Sequence, residues 1–166
     1  MNDDSDTIGL DLFREAMRLF PAAVSIIGAE RDGVRHGYTA TAVCALSAEP
    51  ARILTCADKT AGNHQLIIDA GRFSVNLLAQ DQAELASRFA AKPVETRFEQ
   101  GHWRDGAGNV PVLAGAVAAF ECVLERHVEF ETHCVFFGRI VACTTEEKPA
   151  LIYCDRTYGS FSKQGE

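Results

Sequence analysis

Lys59 and Thr60 stand where the run Cys56-Ala-Asp-Lys-Thr-Ala-Gly-Asn-His64 passes from a strand end into a helix start. A cation and a hydroxyl beside the free N–H groups of a first helical turn can hold an anion such as a phosphate. Capping of that helix by Thr60 alone is the competing reading. Lys92 and Arg97 add two cations in a charged, proline-containing stretch, where a solvated loop is the simpler explanation. His133 opens a strand after a tight turn, a place from which an imidazole can reach a ligand or sit half-exposed. Tyr153, Arg156 and Tyr158 combine aromatic faces with a guanidinium. They could stack on a planar ring or cover one end of a barrel.

The run Gly37-Tyr-Thr-Ala-Thr-Ala-Val-Cys-Ala-Leu-Ser47 reads as a strand, yet nearly all its side chains are small. Strands ordinarily recruit β-branched and aromatic residues because these pack well on a pleated surface. Here Thr39, Ala40, Thr41 and Ala42 put no bulk between Tyr38 and Val43. Such a strand lets a flat molecule approach the main chain, whose N–H and C=O groups, with two hydroxyls, could read a heterocycle edge. A tightly packed sheet junction is the alternative.

Several signatures are missing. No GxGxxG follows a strand, and no GxxxxGK[ST], GxSxG or HExxH occurs, so a dinucleotide fingerprint, kinase or hydrolase reading has no support. The six cysteines form no CxxC pair and no cysteine–histidine cluster with zinc spacing, so no metal site is expected. Most lie in apolar strand-like stretches and read as small hydrophobes.

The elements that must position these residues follow from periodicity. Leu10, Phe13, Met17 and Phe20 recur at helical spacing before Pro21. Strands are expected over 23–30, 35–43, 52–57 and 72–78, with Asp32-Gly33 as a hairpin turn. Short helices are expected over 60–70, closed by Gly71, and over 81–90, with Asp81 as N-cap. Residues 92–111 read as an irregular surface loop. A long strand through Phe120 and Val128 is joined by a turn at Glu131-Thr132 to a partner over 134–143, and the tail from Leu151 is aromatic and mixed. About seven short strands paired locally, with two or three helices, predict a mainly β, antiparallel closed sheet with peripheral helices.

At 166 residues the chain fits one domain over 9–166 after a disordered tail over 1–8. A net charge of −7 without any basic cluster argues against nucleic acid. No apolar run approaches bilayer length, so no membrane span is expected. The acidic start lacks signal-peptide character, which makes the cytoplasm the expected location.

In this order the pieces resemble the flavin reductase-like family, the FMN-binding split-barrel proteins, whose members include reductase components of two-component flavin monooxygenases. The resemblance runs from about Phe13 to Phe161. It rests on Phe13-Arg-Glu-Ala-Met, Ala23-Val-Ser-Ile-Ile, the small-residue run, Val75-Asn76, Arg97-Phe98, Thr132-His133 and Tyr153-Cys-Asp-Arg-Thr-Tyr158. It implies a six-stranded antiparallel split β-barrel with peripheral helices that forms a homodimer. Tyr38, Thr39, Ala40, Thr41, Ala42 and Val43, with Ser47 ending the same run, would line a flavin, either FMN or FAD. Asp58, Lys59 and Thr60 match the segment at the ribityl phosphate. Asn76, Lys92, Arg97 and Phe98 match further flavin-side positions. His133 matches a catalytic histidine near the nicotinamide of NADH or NADPH, and Arg156 and Tyr158 match an element beside the same pocket. The implied activity is hydride transfer from nicotinamide to flavin, supplying reduced flavin to a separate oxygenase. The chain departs from the family where Asp58 stands for a common asparagine, Gly62 and Ala86 for serines, and Glu131 for a glycine. A flavin-binding electron carrier or store without NAD(P)H turnover is the alternative. An oxidase of the pyridoxamine-phosphate type and a flavin-free barrel rank below it.

Overall fold

Small side chains at residues 39–42 have an architectural consequence that the computed structural model makes visible; it describes residues 7–61, 63–91 and 96–162. After helix α1 (Leu10–Arg18) come strands β1 (Ala22–Ala23), β2 (Ser25–Arg31), β3 (Val34–Ala40), β4 (Val43–Ala48) and β5 (Ala51–Asp58). Helix α2 (Asn63–Ala70), β6 (Arg72–Leu77), α3 (Ala83–Ala90), β7 (Trp103–Asp105) and β8 (Pro111–Leu113) follow. The chain closes with β9 (Ala118–Phe130), β10 (His133–Thr145), β11 (Leu151–Cys154) and β12 (Thr157–Ser160).

The main sheet is antiparallel throughout and seven-stranded, in the order β3-β2-β6-β9-β10-β5-β4. The mainly β, antiparallel class is as expected, but the sheet is open and has more strands than the six of a split barrel. Its two edges are β3 and β4, which are consecutive in the chain and separated only by Thr41 and Ala42. They do not pair as a hairpin. The chain leaves one edge and enters the other through a bend tied by the Val43 N–H to the Thr41 carbonyl, 3.1 Å, and the Cys56 N–H to the Ala42 carbonyl, 3.2 Å. An edge strand leaves one row of main-chain groups without a ladder partner. At β3 that row runs alongside the small residues.

The stretch expected to be irregular holds a two-stranded hairpin, β7–β8, because Gly108 (φ 69°) and Asn109 (φ 63°) turn the chain back on itself. This hairpin covers the second face of β6. Ser74 and Asn76, the polar partners in the Phe73/Val75/Leu77 alternation, are therefore wholly buried rather than solvent-facing. The Ser74 hydroxyl donates to the Pro111 carbonyl at 2.5 Å. β11 and β12 form a second hairpin, which joins β1 in a small sheet.

Among the described residues two large apolar cores share the work, beside a small cluster of Val110, Val112 and Ala119. One packs Ile27, Ile53, Ile67, Phe73, Val75 and Phe136 inside the sheet under α2. The other packs Val24, Ile26, Leu78, Leu85, Phe89 and Leu151 under α3. Asp81 does not cap α3. A 3₁₀ turn, Gln80–Gln82, precedes that helix, and the Gln82 side chain accepts the Ala79 N–H at 2.9 Å. Helix α1 ends at Arg18, three residues before Pro21, and has no buried residue despite its apolar stripe. Phe13, Met17 and Phe20 are 48%, 50% and 68% exposed. Cys122 and Cys134 are buried as expected of small hydrophobes, Cys56 and Cys154 are partly covered, Cys44 and Cys143 are exposed, and all six are free. Among the described residues no helix is long and apolar enough to cross a membrane. Of the expected N-terminal tail, residues 1–6 lie outside the described residues, as do Gly62 and Lys92.

Candidate functional site

A cavity of about 360 Å³ opens at the bend between the two sheet edges. This lies within the range of small-molecule sites, roughly 300–1,000 Å³. Tyr38, Thr39, Ala40, Thr41 and Ala42 form one wall. The end of β5, Cys56 to Asp58, forms the second; Phe89 and Ala90 on α3, with Arg97, form the third; His133 stands beside Asp58. The pairing of β5 with β10 explains this neighbourhood, since Asp58 and His133 are directly opposite in register. The Lys59 N–H donates to the Thr132 carbonyl at 2.9 Å and ties the two strand ends together.

Each wall is held by a distinct device. The Thr39 hydroxyl donates to the Ala86 carbonyl at 2.6 Å and fixes β3 to α3. The Tyr38 hydroxyl donates to the Cys56 carbonyl at 3.4 Å. Burial pushes that phenol's pKa well above its ordinary value and raises the Cys56 thiol too, so both stay protonated near neutral pH. Gly37 permits the close approach of α3: a Cβ there would lie 2.9 Å from Phe89 Cε1 and 2.9 Å from the Ile27 carbonyl oxygen. Arg97 is 5% exposed. Its Nη1 donates to the Gly37 carbonyl at 2.6 Å, and its Nη2 and Nε donate to the Ala91 carbonyl at 2.6 and 3.2 Å. Arg97 thus clamps β3 to the chain after α3. Arg97→Ala is expected to lower the unfolding free energy by about 2–4 kcal/mol, because two covered carbonyls lose charged donors. A urea transition with an unchanged midpoint would contradict that role.

Asp58 Oδ1 accepts both the Thr60 N–H and the Thr60 hydroxyl, each at 2.8 Å. These bonds, with a smaller contribution from His133, hold its carboxyl below the usual carboxylate range. The turn after β5 is therefore capped by Asp58, not by Thr60. His133 is exposed, and its Nδ1 lies 2.9 Å from the Thr132 hydroxyl. Glu131, in the preceding turn, adopts φ 47°, a left-handed conformation that glycine takes more readily.

Other expected residues lie elsewhere. Val43 faces a second hollow with Phe20, Val75 and Phe120, which Thr41 also borders. Ser47 is exposed on β4 and donates to the Pro50 carbonyl at 2.6 Å. Lys59 is ion-paired with Glu129 at 3.2 Å. Asn76 is wholly buried, its amide bonded to the Ile26 and Pro111 carbonyls and its oxygen accepting the Leu113 N–H. Phe98 packs edge-on against Phe89, with ring centres 5.0 Å apart. The Tyr158 ring meets Tyr153 at 5.2 Å, and Arg156 occupies a left-handed position (φ 61°) in the β11–β12 turn. None of these lines the cavity. Conversely, Cys56, Ala57, Phe89 and Ala90 line it without having been singled out. Ala57, another methyl-sized residue at a strand end, was the available signal.

The arrangement offers peptide groups, three hydroxyls of which two already donate to main-chain carbonyls, a guanidinium, a carboxylate and an imidazole around a slot with a wall of mostly small residues. It fits a flat ring entering against main chain better than a nucleophile–base pair, and among the described residues no group of side chains could hold a metal ion.

Comparison with known proteins agrees with that reading. The family described as flavin reductase like domain matches residues 17–162. The FMN reductase (NADH) RutF of Stutzerimonas stutzeri (strain A1501) is 34% identical over 152 residues, covering 90% of this chain and 87% of that protein. The NADH:FAD oxidoreductase SgcE6 of Streptomyces globisporus C-1027, solved with NAD and FAD fragments, superposes with a TM-score of 0.88 at 26% identity, covering 100% of this chain and 99% of that one. BorF, the flavin reductase component of a bacterial two-component tryptophan halogenase, superposes with a TM-score of 0.85 at 28% identity, covering 94% and 100%.

Proposed function

This chain belongs to the flavin reductase-like domain family, and from that premise we propose that it is an NAD(P)H-dependent flavin reductase whose cavity between the sheet edges holds the flavin ring. The observation that carries the assignment is the bend at Thr41-Ala42, where the chain crosses between sheet edges and residues 39–42, none of them bulky, line one wall of a cavity. The cofactors supply the redox chemistry: hydride passes from the nicotinamide to the flavin. The protein has to bind, orient and shield. Main-chain groups of residues 38–42 would meet the polar edge of the ring and favour the negative charge that reduction brings there. Phe89 and Ala57 supply apolar surface. Neutral Tyr38 holds the wall without moving a proton. His133, at the rim, would orient the nicotinamide, and good alignment of two bound reactants is itself a large part of such a catalyst's effect.

The names of the relatives favour NADH as donor, with FMN or FAD as acceptor. Reduced flavin would then pass to a separate oxygenase or halogenase, the setting printed for BorF. Residues 9–166 act as one domain. A second copy of the chain would cover α1, none of whose residues is buried by the described residues of one chain. The assay is direct: purified protein, NADH or NADPH, and added FMN or FAD. Nucleotide oxidation well above the flavin-only blank is expected. Tight flavin binding without such oxidation would favour an electron carrier instead.

A further inference from the structure

Asp58 is the only carboxylate lining the cavity among the described residues, and it occupies the donors that an incoming phosphate would use. The Thr60 N–H and hydroxyl, at the turn that leads into α2, both end on Asp58 Oδ1. The nearby cation, Lys59, is ion-paired with Glu129. The buried guanidinium of Arg97 is turned onto the Gly37 and Ala91 carbonyls. A phosphate arriving at this rim would meet a fixed negative charge, with the Thr60 donors, Lys59 and Arg97 already engaged among the described residues.

Resting on the flavin reading above, we propose that Asp58 is a specificity determinant that makes the site recognise the flavin ring system and disregard its phosphate, so that riboflavin binds about as well as FMN. Two effects act in the same direction. Like charges a few ångströms apart repel even near a protein surface. In addition, Asp58 would have to release Thr60 before a phosphate could take its place. Affinity then comes from the ring against the small-residue wall, which suits a flavin that enters and leaves as a substrate.

Flavin fluorescence quenching on titration with the protein gives dissociation constants for riboflavin and FMN. In the wild type the riboflavin-to-FMN ratio of Kd is expected below about three, and FMN binding should strengthen as salt screens the repulsion. Asp58→Asn keeps an oxygen for the Thr60 N–H and removes the charge. It should tighten FMN binding about tenfold, leave riboflavin unchanged and abolish the salt trend. A wild-type ratio above about three overturns the proposal, as does an Asp58→Asn protein whose ratio shifts by less than about threefold. If the variant does not fold, the wild-type ratio and salt trend decide alone. If neither flavin binds the wild type, the flavin reading falls and this proposal with it. If both bind with FMN clearly preferred, the flavin reading stands and the role of Asp58 falls.

Discussion

Thr41→Trp is expected to weaken flavin binding by about a hundredfold or more while leaving the fold intact, because a filled slot forfeits most of the apolar contact a ring could make. Thr41 is exposed, sits in the bend outside both flanking strands and lines the cavity. An indole there disturbs no core packing and no ladder hydrogen bond. Since Thr41 also borders the hollow near Phe20 and Phe120, the indole has a second place to go. Ala42→Trp is the companion variant, because Ala42 is exposed and lines only the first of the two. Flavin titration with a parallel urea transition reads both. Two well-folded variants with wild-type affinity would remove the ring from this cavity.

His133→Ala is expected to lower kcat/KM for the nicotinamide nucleotide by about 10–100-fold with little change in flavin Kd, the size of loss that follows when one reactant is held less well. The imidazole is exposed at the rim and its near contact is the Thr132 hydroxyl. Its removal therefore opens no cavity and strands no buried group. The split between the two constants is decisive. Equal losses in flavin affinity and turnover would make His133 part of the wall, and no loss in either would place the nicotinamide elsewhere.

The parts of the site that were legible in the sequence are those in which local composition and spatial role coincide. Residues 38–42 could be singled out because a strand without bulk is unusual, and they do form one wall. His133 was legible as a polar residue at the mouth of a strand, whereas Asp58 came only through the family resemblance. What was not legible was partnership. Lys59 looks like an anion ligand until β9 brings Glu129 beside it. Asn76 looks like a site residue until β8 covers it and all its hydrogen-bonding capacity turns inward. Arg97 reads as a solvated loop cation, yet it is buried against two carbonyls. Periodicity located β2, β5, β6, β9 and β10, but the run from Gly37 to Ser47, read as one strand, breaks at Thr41-Ala42 into β3 and β4, the two edges of the sheet. Two residues reach from β3 to β4 only because the sheet bends round to bring its two edges together at that link, where they meet without pairing. The β7–β8 hairpin escaped because its strands are only three residues each, too short for alternation to register.

A wall built of amides and methyl groups has nothing to delete. Truncation scanning, which reports a residue by what is lost when its side chain is cut back, would pass almost silently over positions 40 to 42, where two residues are alanine already. Such a surface is revealed by the opposite experiment, in which atoms are added one position at a time and the gaps in tolerance trace the outline of the guest.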